Sequence, residues 1–324
     1  MKVCLGCLKS ISLKGYCPAC IKKLWNGDKR VKTVLDFDKN EFIKIRRNFA
    51  DKFSISGVQD KISLKIKDDK LEPTGKEGTY ILKPVPINRV PELNNDVPAN
   101  EHLTMQIARQ VFQINTAENG LIKFSDGEYA YISKRFDRRN GDKFLQEDFC
   151  QLMNKSPETA GESFKYDSSY EEIGKIVHRY CNASRIEIEK LFKQILFDYV
   201  FANGDAHLKN FSLIESDYGD FVLSPAYDLI NTAVHFPKES RMALDLFTDY
   251  ETESYRINGF YKRIDFFKLA EFFMIKKMRE ERFLDEYVMK KEKVYHLIKV
   301  SFLSEEAKKR YLELFDDRVK AVSD

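Results

Sequence analysis

Residues 201–228 carry the feature that most narrows what this chain can fold into. Leu191, Phe192, Ile195, Leu196, Tyr199 and Val200 recur at helical spacing, and Asn203-Gly204 ends that helix. Three polar residues follow, Asp205, His207 and Asn210, which are costly to bury unless they are put to use. Phe211 to Ile214 and Phe221 to Leu223 then flank Asp217-Tyr-Gly-Asp220, a β-hairpin signal, and Ser224-Pro-Ala-Tyr-Asp228 closes the unit. An antiparallel hairpin brings its open ends side by side, so Asp205, Asn210 and Asp228 should meet at one mouth. Asn203-Gly-Asp205 alone reads more readily as an Asx-rich turn with a solvated carboxylate. The matching Asp228 favours a site.

An Asp with an Asn five residues on, and a second Asp beyond a hairpin, is how kinases build a metal–phosphate site. Asp205 would accept the acceptor's hydroxyl proton, while Asn210 and Asp228 would hold Mg2+. His207 is expected to order the loop rather than transfer a proton. Asn203-Gly-Asp-Ala-His-Leu-Lys-Asn-Phe-Ser212 and Ser224-Pro-Ala-Tyr-Asp228 resemble the HipA toxin kinases, bacterial serine/threonine protein kinases with a lipid-kinase-like fold. The resemblance covers roughly residues 50 to 320. It implies an α+β, two-lobed kinase fold, with a sheet-rich lobe over 26–140, a helical lobe over 141–324, and ATP between them.

Upstream segments add to the resemblance. Phe53-Ser-Ile-Ser-Gly-Val-Gln-Asp-Lys61 precedes Ile62, Leu64 and Ile66, which alternate with polar residues as in a half-buried strand. A Ser-x-Ser-Gly turn there offers amides to phosphate oxygens, or is an ordinary hairpin entry. By resemblance it is the family's phosphate loop, with Ser56, Gly57, Val58, Gln59 and Lys61 on the nucleotide and Ser54 or Ser56 autophosphorylated. Lys83 ends the short strand Thr79 to Lys83. It is an edge charge that snorkels to water, or, by resemblance, the lysine on the ATP phosphates. Glu101 near the start of an amphipathic helix over 99–112 complements the helix dipole or reaches Lys83. The strand from Tyr129 leads into Arg135-Phe-Asp-Arg138, which resembles the family's connection between lobes. The main chain of Lys134 to Phe136 would face adenine and Asp137 the ribose, with Lys209 also near the nucleotide; the alternative is a surface ion pair of little worth. Many relatives carry glutamate where this chain has Lys134. Leu145 to Gln151 reads as a helix start, and helices are expected over 265–277, 283–300 and 305–319.

Cys4-Leu-Gly-Cys7 and Cys17-Pro-Ala-Cys20 form a doubled C-x2-C array, which suits four-thiolate structural zinc. Disulfides or a redox pair are the alternatives. Many HipA-like chains lack this knuckle. Residues 1–25 would form it, and Ile21 to Phe49 would be linker plus a docking helix. Cys150 and Cys181 read as buried small hydrophobes.

The remaining constraints are exclusions. The 43% apolar content suits a globular chain, no apolar run is long enough to span a membrane, and no signal segment opens the sequence, so a cytoplasmic protein is expected. A net charge of +3 without like-charge blocks gives no support to direct nucleic-acid binding. The resemblance implies the toxin of a toxin–antitoxin module, with an aminoacyl-tRNA synthetase among the candidate protein substrates and a helix-turn-helix repressor as antitoxin. Kinase motifs that begin near residue 53 further imply that a separate small protein carries the family's N-terminal subdomain. Two other readings stay open: an aminoglycoside- or choline-type kinase, which shares the Asp205-x-His207-x-x-Asn210 spacing, and an inactive kinase fold used as a zinc-tethered binding module.

Overall fold

The computed structural model describes residues 2–12, 15–48, 60–75, 77–139 and 141–323. The expected phosphate-loop residues Ser54, Ser56, Gly57, Val58 and Gln59 lie outside them. Its centrepiece is a five-stranded antiparallel sheet in the order Lys70–Pro73, Ile62–Lys67, Tyr80–Lys83, Tyr129–Lys134, Asn119–Lys123. Period-two alternation divides its faces. Ala130 and Ile132 pack on one side with Ile62, Leu64 and Leu82, whereas Tyr131 joins the core on the other.

The first face is covered by the stretch expected to be linker plus a docking helix. Trp25, Val31, Leu35, Phe37 and Phe42 are buried there, and the Trp25 ring lies 5.3 Å from that of Tyr80. The helices Pro18–Leu24 and Lys39–Asn48 frame this layer. The spacing of these apolar residues is irregular, so only the finished sheet shows that they share a surface. The Val97–Gln110 helix covers the second face with Leu103, Ile107 and Ala108.

The cysteine-bearing segment docks on the sheet's outer strand. The Leu121 amide donates to Leu5 O at 2.9 Å, and the Tyr16 hydroxyl donates to Leu121 O at 2.7 Å. A Cβ on Gly120 would lie 2.5 Å from that hydroxyl, so glycine permits the approach. Further along the strand, the Lys123 amide donates to Thr33 O and Lys123 O accepts from the Leu35 amide.

In the helical part, the Ser184–Val200 helix is buried along most of its length, with Phe197, Phe201 and Phe315 stacked behind it. The expected hairpin forms from Ser212–Glu215 and Phe221–Leu223. A third strand, Gln146–Asp148, pairs with it. The segment from Leu145 is therefore strand first and helix second. Asp148 caps the short Phe149–Leu152 helix in a reciprocal pair with Gln151. The long C-terminal periodicities are interrupted: Arg263–Phe272 stops before Met274, at φ 54°, and Lys277–Met289 and Lys291–Val300 are separate helices. Glu305–Ser323 closes the chain. Cys150 and Cys181 are 1% and 5% exposed. Among the described residues no helix is long and apolar enough to cross a membrane.

Candidate active site

A cleft of about 490 Å³ opens between the sheet and the helical part, a size that suits a nucleotide. Lys83 lies on its floor, 4% exposed. Its strand is central in the sheet, so the edge-charge reading fails. The ammonium donates to Glu101 Oε1 and to Asp228 Oδ1, each at 2.6 Å. Of the two readings open for Glu101, the ion pair is the one observed. Burial disfavours the charge on Lys83, but Asp228 and Glu101 outweigh it and hold the ammonium well above its ordinary range. Burial likewise pushes Glu101 up to about 7, against the pull of Lys83. Asp228 also meets burial, yet Lys83 and Lys61 together keep its carboxyl below the usual value.

The loop that carries Asp205 is fixed from behind. Asp198, within the Ser184–Val200 helix, accepts from the Asn203 amide group at 2.8 Å, and Asn203 Oδ1 in turn accepts from the Asp205 amide at 3.3 Å. Burial raises the Asp198 carboxyl to about 7, with Asn203 opposing. The Gly204 amide donates to Thr232 Oγ1, which also donates to Glu239. A Cβ on Gly204 would lie 2.7 Å from Glu239 and from Ser240 O, so only glycine fits this contact. The His207 amide donates to Asp205 O at 2.8 Å and to Asn210 Oδ1 at 3.2 Å. Its imidazole lies 3.8 Å from Asp205, and burial lowers its pKa.

Beyond the hairpin, Asp228 adopts φ 57°, a left-handed conformation that Asp tolerates better than most residues. That kink turns its carboxylate toward Lys83. Lys61, Asp205, His207, Lys209, Asn210 and Asp228 all line the same cleft. Two expected nucleotide contacts are already engaged within the protein: Lys209 pairs with Asp148 at 3.2 Å, and Arg135 grips Asp137 through both carboxylate oxygens. The Lys134 side chain points outward to Asn26. The Lys134 and Arg135 amides are bonded to Glu118 O and Thr79 O. Both of those amides are thus engaged within the protein, and Phe136 O accepts from Arg139 Nε at 3.3 Å.

The donor chemistry fits the implied groups. Asp228 and Asn210 offer hard oxygen ligands of the kind Mg2+ prefers. Lys61 and Lys83 bring positive charge to the same cleft, as a polyphosphate requires. The four knuckle sulfurs of Cys4, Cys7, Cys17 and Cys20 all lie within 4.8 Å of one another. Cys7 Sγ is 3.7 Å from Cys17 Sγ; tetrahedral thiolates ~2.3 Å from zinc stand about 3.8 Å apart. The Gly6 and Cys17 amides donate to Cys4 Sγ, a contact that favours a thiolate. The knuckle is tied to the Val97–Gln110 helix, because His102 bonds Gly6 O and Gln110 donates to Cys7 O, each at 2.9 Å.

Residues 53–295 match the model of the HipA-like C-terminal domain family. The chain belongs to the HipA-like family. A Haemophilus influenzae protein provisionally named a kinase is 30% identical over 91% of this chain and 89% of its own length. A Sinorhizobium fredii protein, Y4dM, also provisionally named a kinase, is 32% identical over 64% of this chain but only 52% of its own length. Among solved structures, the Shewanella oneidensis HipA–HipB–operator DNA complex matches with a TM-score of 0.62 at 19% identity. It covers 84% of this chain and 65% of the Shewanella chain, which establishes a shared HipA-like fold.

Several residues in the cleft or supporting its loop left little mark on the sequence. Asp198 did leave one, as a carboxylate inside an apolar helix. Asp148 left a capping signature three residues before Gln151. Thr232, Glu239, Lys165 and Tyr166 left none, since their relation to the loop exists only in three dimensions.

Proposed function

We propose that this HipA-like protein transfers the γ-phosphoryl group of Mg-ATP to a serine or threonine hydroxyl of another protein. The observation that carries this reading is Lys83 bridging Glu101 and Asp228 in the cleft that Asp205 and Asn210 also line. Such catalysis is chiefly positioning and electrostatics. Bound Mg-ATP supplies a phosphoryl group whose bond to ADP breaks as its bond to the acceptor oxygen forms. Asp205 takes the acceptor's proton, Asn210 and Asp228 hold the metal, and Lys83, kept in place by Glu101, faces the phosphates. His207 shapes the loop through its main chain. The proposal includes the toxin role, a helix-turn-helix antitoxin as partner, and modification of Ser54 or Ser56 by the chain itself.

Brief induction of wild type and of Asp205→Asn, followed by phosphoproteomic mass spectrometry, tests it. Wild type should add phosphate to a small set of serines or threonines, an aminoacyl-tRNA synthetase among the candidates, and Asp205→Asn should add none. Identical phosphoproteomes, or phosphate found only on small metabolites, would defeat the reading.

A further inference from the structure

The Tyr166 hydroxyl donates a hydrogen bond to Asp205 Oδ1. This tyrosine is not a core residue. It is 39% exposed and ends the turn Phe164–Tyr166, in a strap between the helices Pro157–Ala160 and Tyr170–Tyr180. The strap is pinned at its ends and open at its tip. Lys155 donates to Asp167 Oδ2 at 2.6 Å, and Tyr170 donates to Ala206 O at 2.9 Å. Phe164 packs against the core. The Tyr166 ring presents itself edge-on to His207 at 5.3 Å. Lys165 Nζ lies 4.7 Å from the centre of that ring and 3.8 Å from Asp205 Oδ1.

We infer that Tyr166 stands in the acceptor subsite, its phenol holding the place that a substrate hydroxyl must take on Asp205. The inference rests on the phosphotransferase reading above. A hydroxyl donating to the base carboxylate is the contact an acceptor makes before it reacts. Here the donor belongs to the chain itself. Burial and the Asp205 contact both raise the phenol's pKa, so at neutral pH it remains a donor. Three groups, Tyr166, Lys165 and His207, converge on one oxygen, Oδ1. An incoming serine or threonine must displace the phenol or turn the carboxylate. Tyr166 is thus a gate on acceptor binding, and Lys165 remains beside the base once the phenol leaves. The strap's exposed tip gives the phenol somewhere to go, while its pinned ends keep it close enough to return.

The test uses the full chain as wild type, Tyr166→Phe and Tyr166→Ala. Three quantities are measured: kcat and KM for dephosphorylated casein as acceptor, hydrolysis of ATP by water, and calorimetric affinity for a non-hydrolysable ATP analogue. Removing one charge-assisted hydrogen bond should lower the casein KM by about tenfold in both variants. ATP hydrolysis should rise several-fold, because a water can then take the phenol's place as the donor to Asp205 Oδ1. The casein kcat and the analogue affinity should stay at the wild-type level. A fall in kcat at unchanged KM would overturn the inference and make Tyr166 an orienting residue for the base. Unchanged KM and hydrolysis in both variants would overturn it as well. Absence of analogue binding in all three chains would remove the kinase reading itself, and this inference with it.

Discussion

The cysteine knuckle and the cleft both gather polar side chains out of water, but they are assembled on opposite terms. The four cysteines fall between positions 4 and 20, and short turns alone place their sulfurs together. Lys83 and Asp228 stand 145 positions apart and meet only because a central strand, a helix and a hairpin all arrive at one cleft. The knuckle presents soft sulfur ligands, whereas the cleft presents carboxylates, an amide and ammonium groups. Damage to the first should therefore register mainly as lost stability, and damage to the second mainly as lost chemistry.

The most severe test of that contrast is Asp205→Asn. Phosphoryl transfer should fall by about 10²–10⁴-fold, the span of a lost general base. The melting temperature should barely move, because the Asp205 side chain is 49% exposed. Asp228→Asn should abolish Mg-dependent nucleotide binding as well, measured by calorimetry with and without the metal. If Asp205→Asn instead unfolded the chain, the division between chemistry and stability would break.

Next in size is the knuckle. Protein purified without chelator should hold about one zinc per chain by metal analysis. Cys7→Ser should lose that ion, along with about 3 kcal/mol of stability, read as a fall of roughly 10 °C in melting temperature. A metal-free protein melting at the wild-type temperature would sink the assignment.

Glu101→Gln probes the border between the regions, since its neighbour His102 is bonded to knuckle residue Gly6. The ion pair it removes is buried, but Lys83 keeps Asp228 as partner. A loss of about 2 kcal/mol in nucleotide binding, some thirtyfold in affinity, is expected. Zinc content should not change.

The smallest effect concerns Asp198. Its carboxyl is raised to about 7 in the folded chain, so the native state holds the proton more tightly than the unfolded one. The stability this contributes is complete below pH ~4 and is lost as pH rises toward 7. Asp198→Asn keeps an acceptor for Asn203 and should remove that slope. The stability difference between the two proteins, from denaturant titrations between pH 5 and 7, should change by ~1 kcal/mol per pH unit. Parallel titration curves would reject the assignment.

What the sequence revealed divides along the same line. C-x2-C spacing exposes the knuckle because its geometry is local. Asp205, Asn210 and Asp228 are legible because a hairpin is a local device that brings distant ends together. The Lys83–Glu101 pair could be framed only as one of two options, since a helix position cannot tell which strand it will face. Trp25 and Leu35 read as linker because the surface they cover is built from strands far along the chain. Tyr166 was invisible for the same reason. A strap's destination is written in the elements it crosses.

The docking of Leu5 and Tyr16 on the Asn119–Lys123 strand has a colloidal consequence. That strand ends its sheet, and an unguarded sheet edge invites strands from other molecules to add to it. Leu5 O and the Tyr16 hydroxyl occupy both main-chain groups of Leu121. If the knuckle holds zinc as predicted above, stripping that metal would release the guard while most of the sheet stays folded. Zinc loss should then appear in light scattering as growing particles, before any change in helix content is seen.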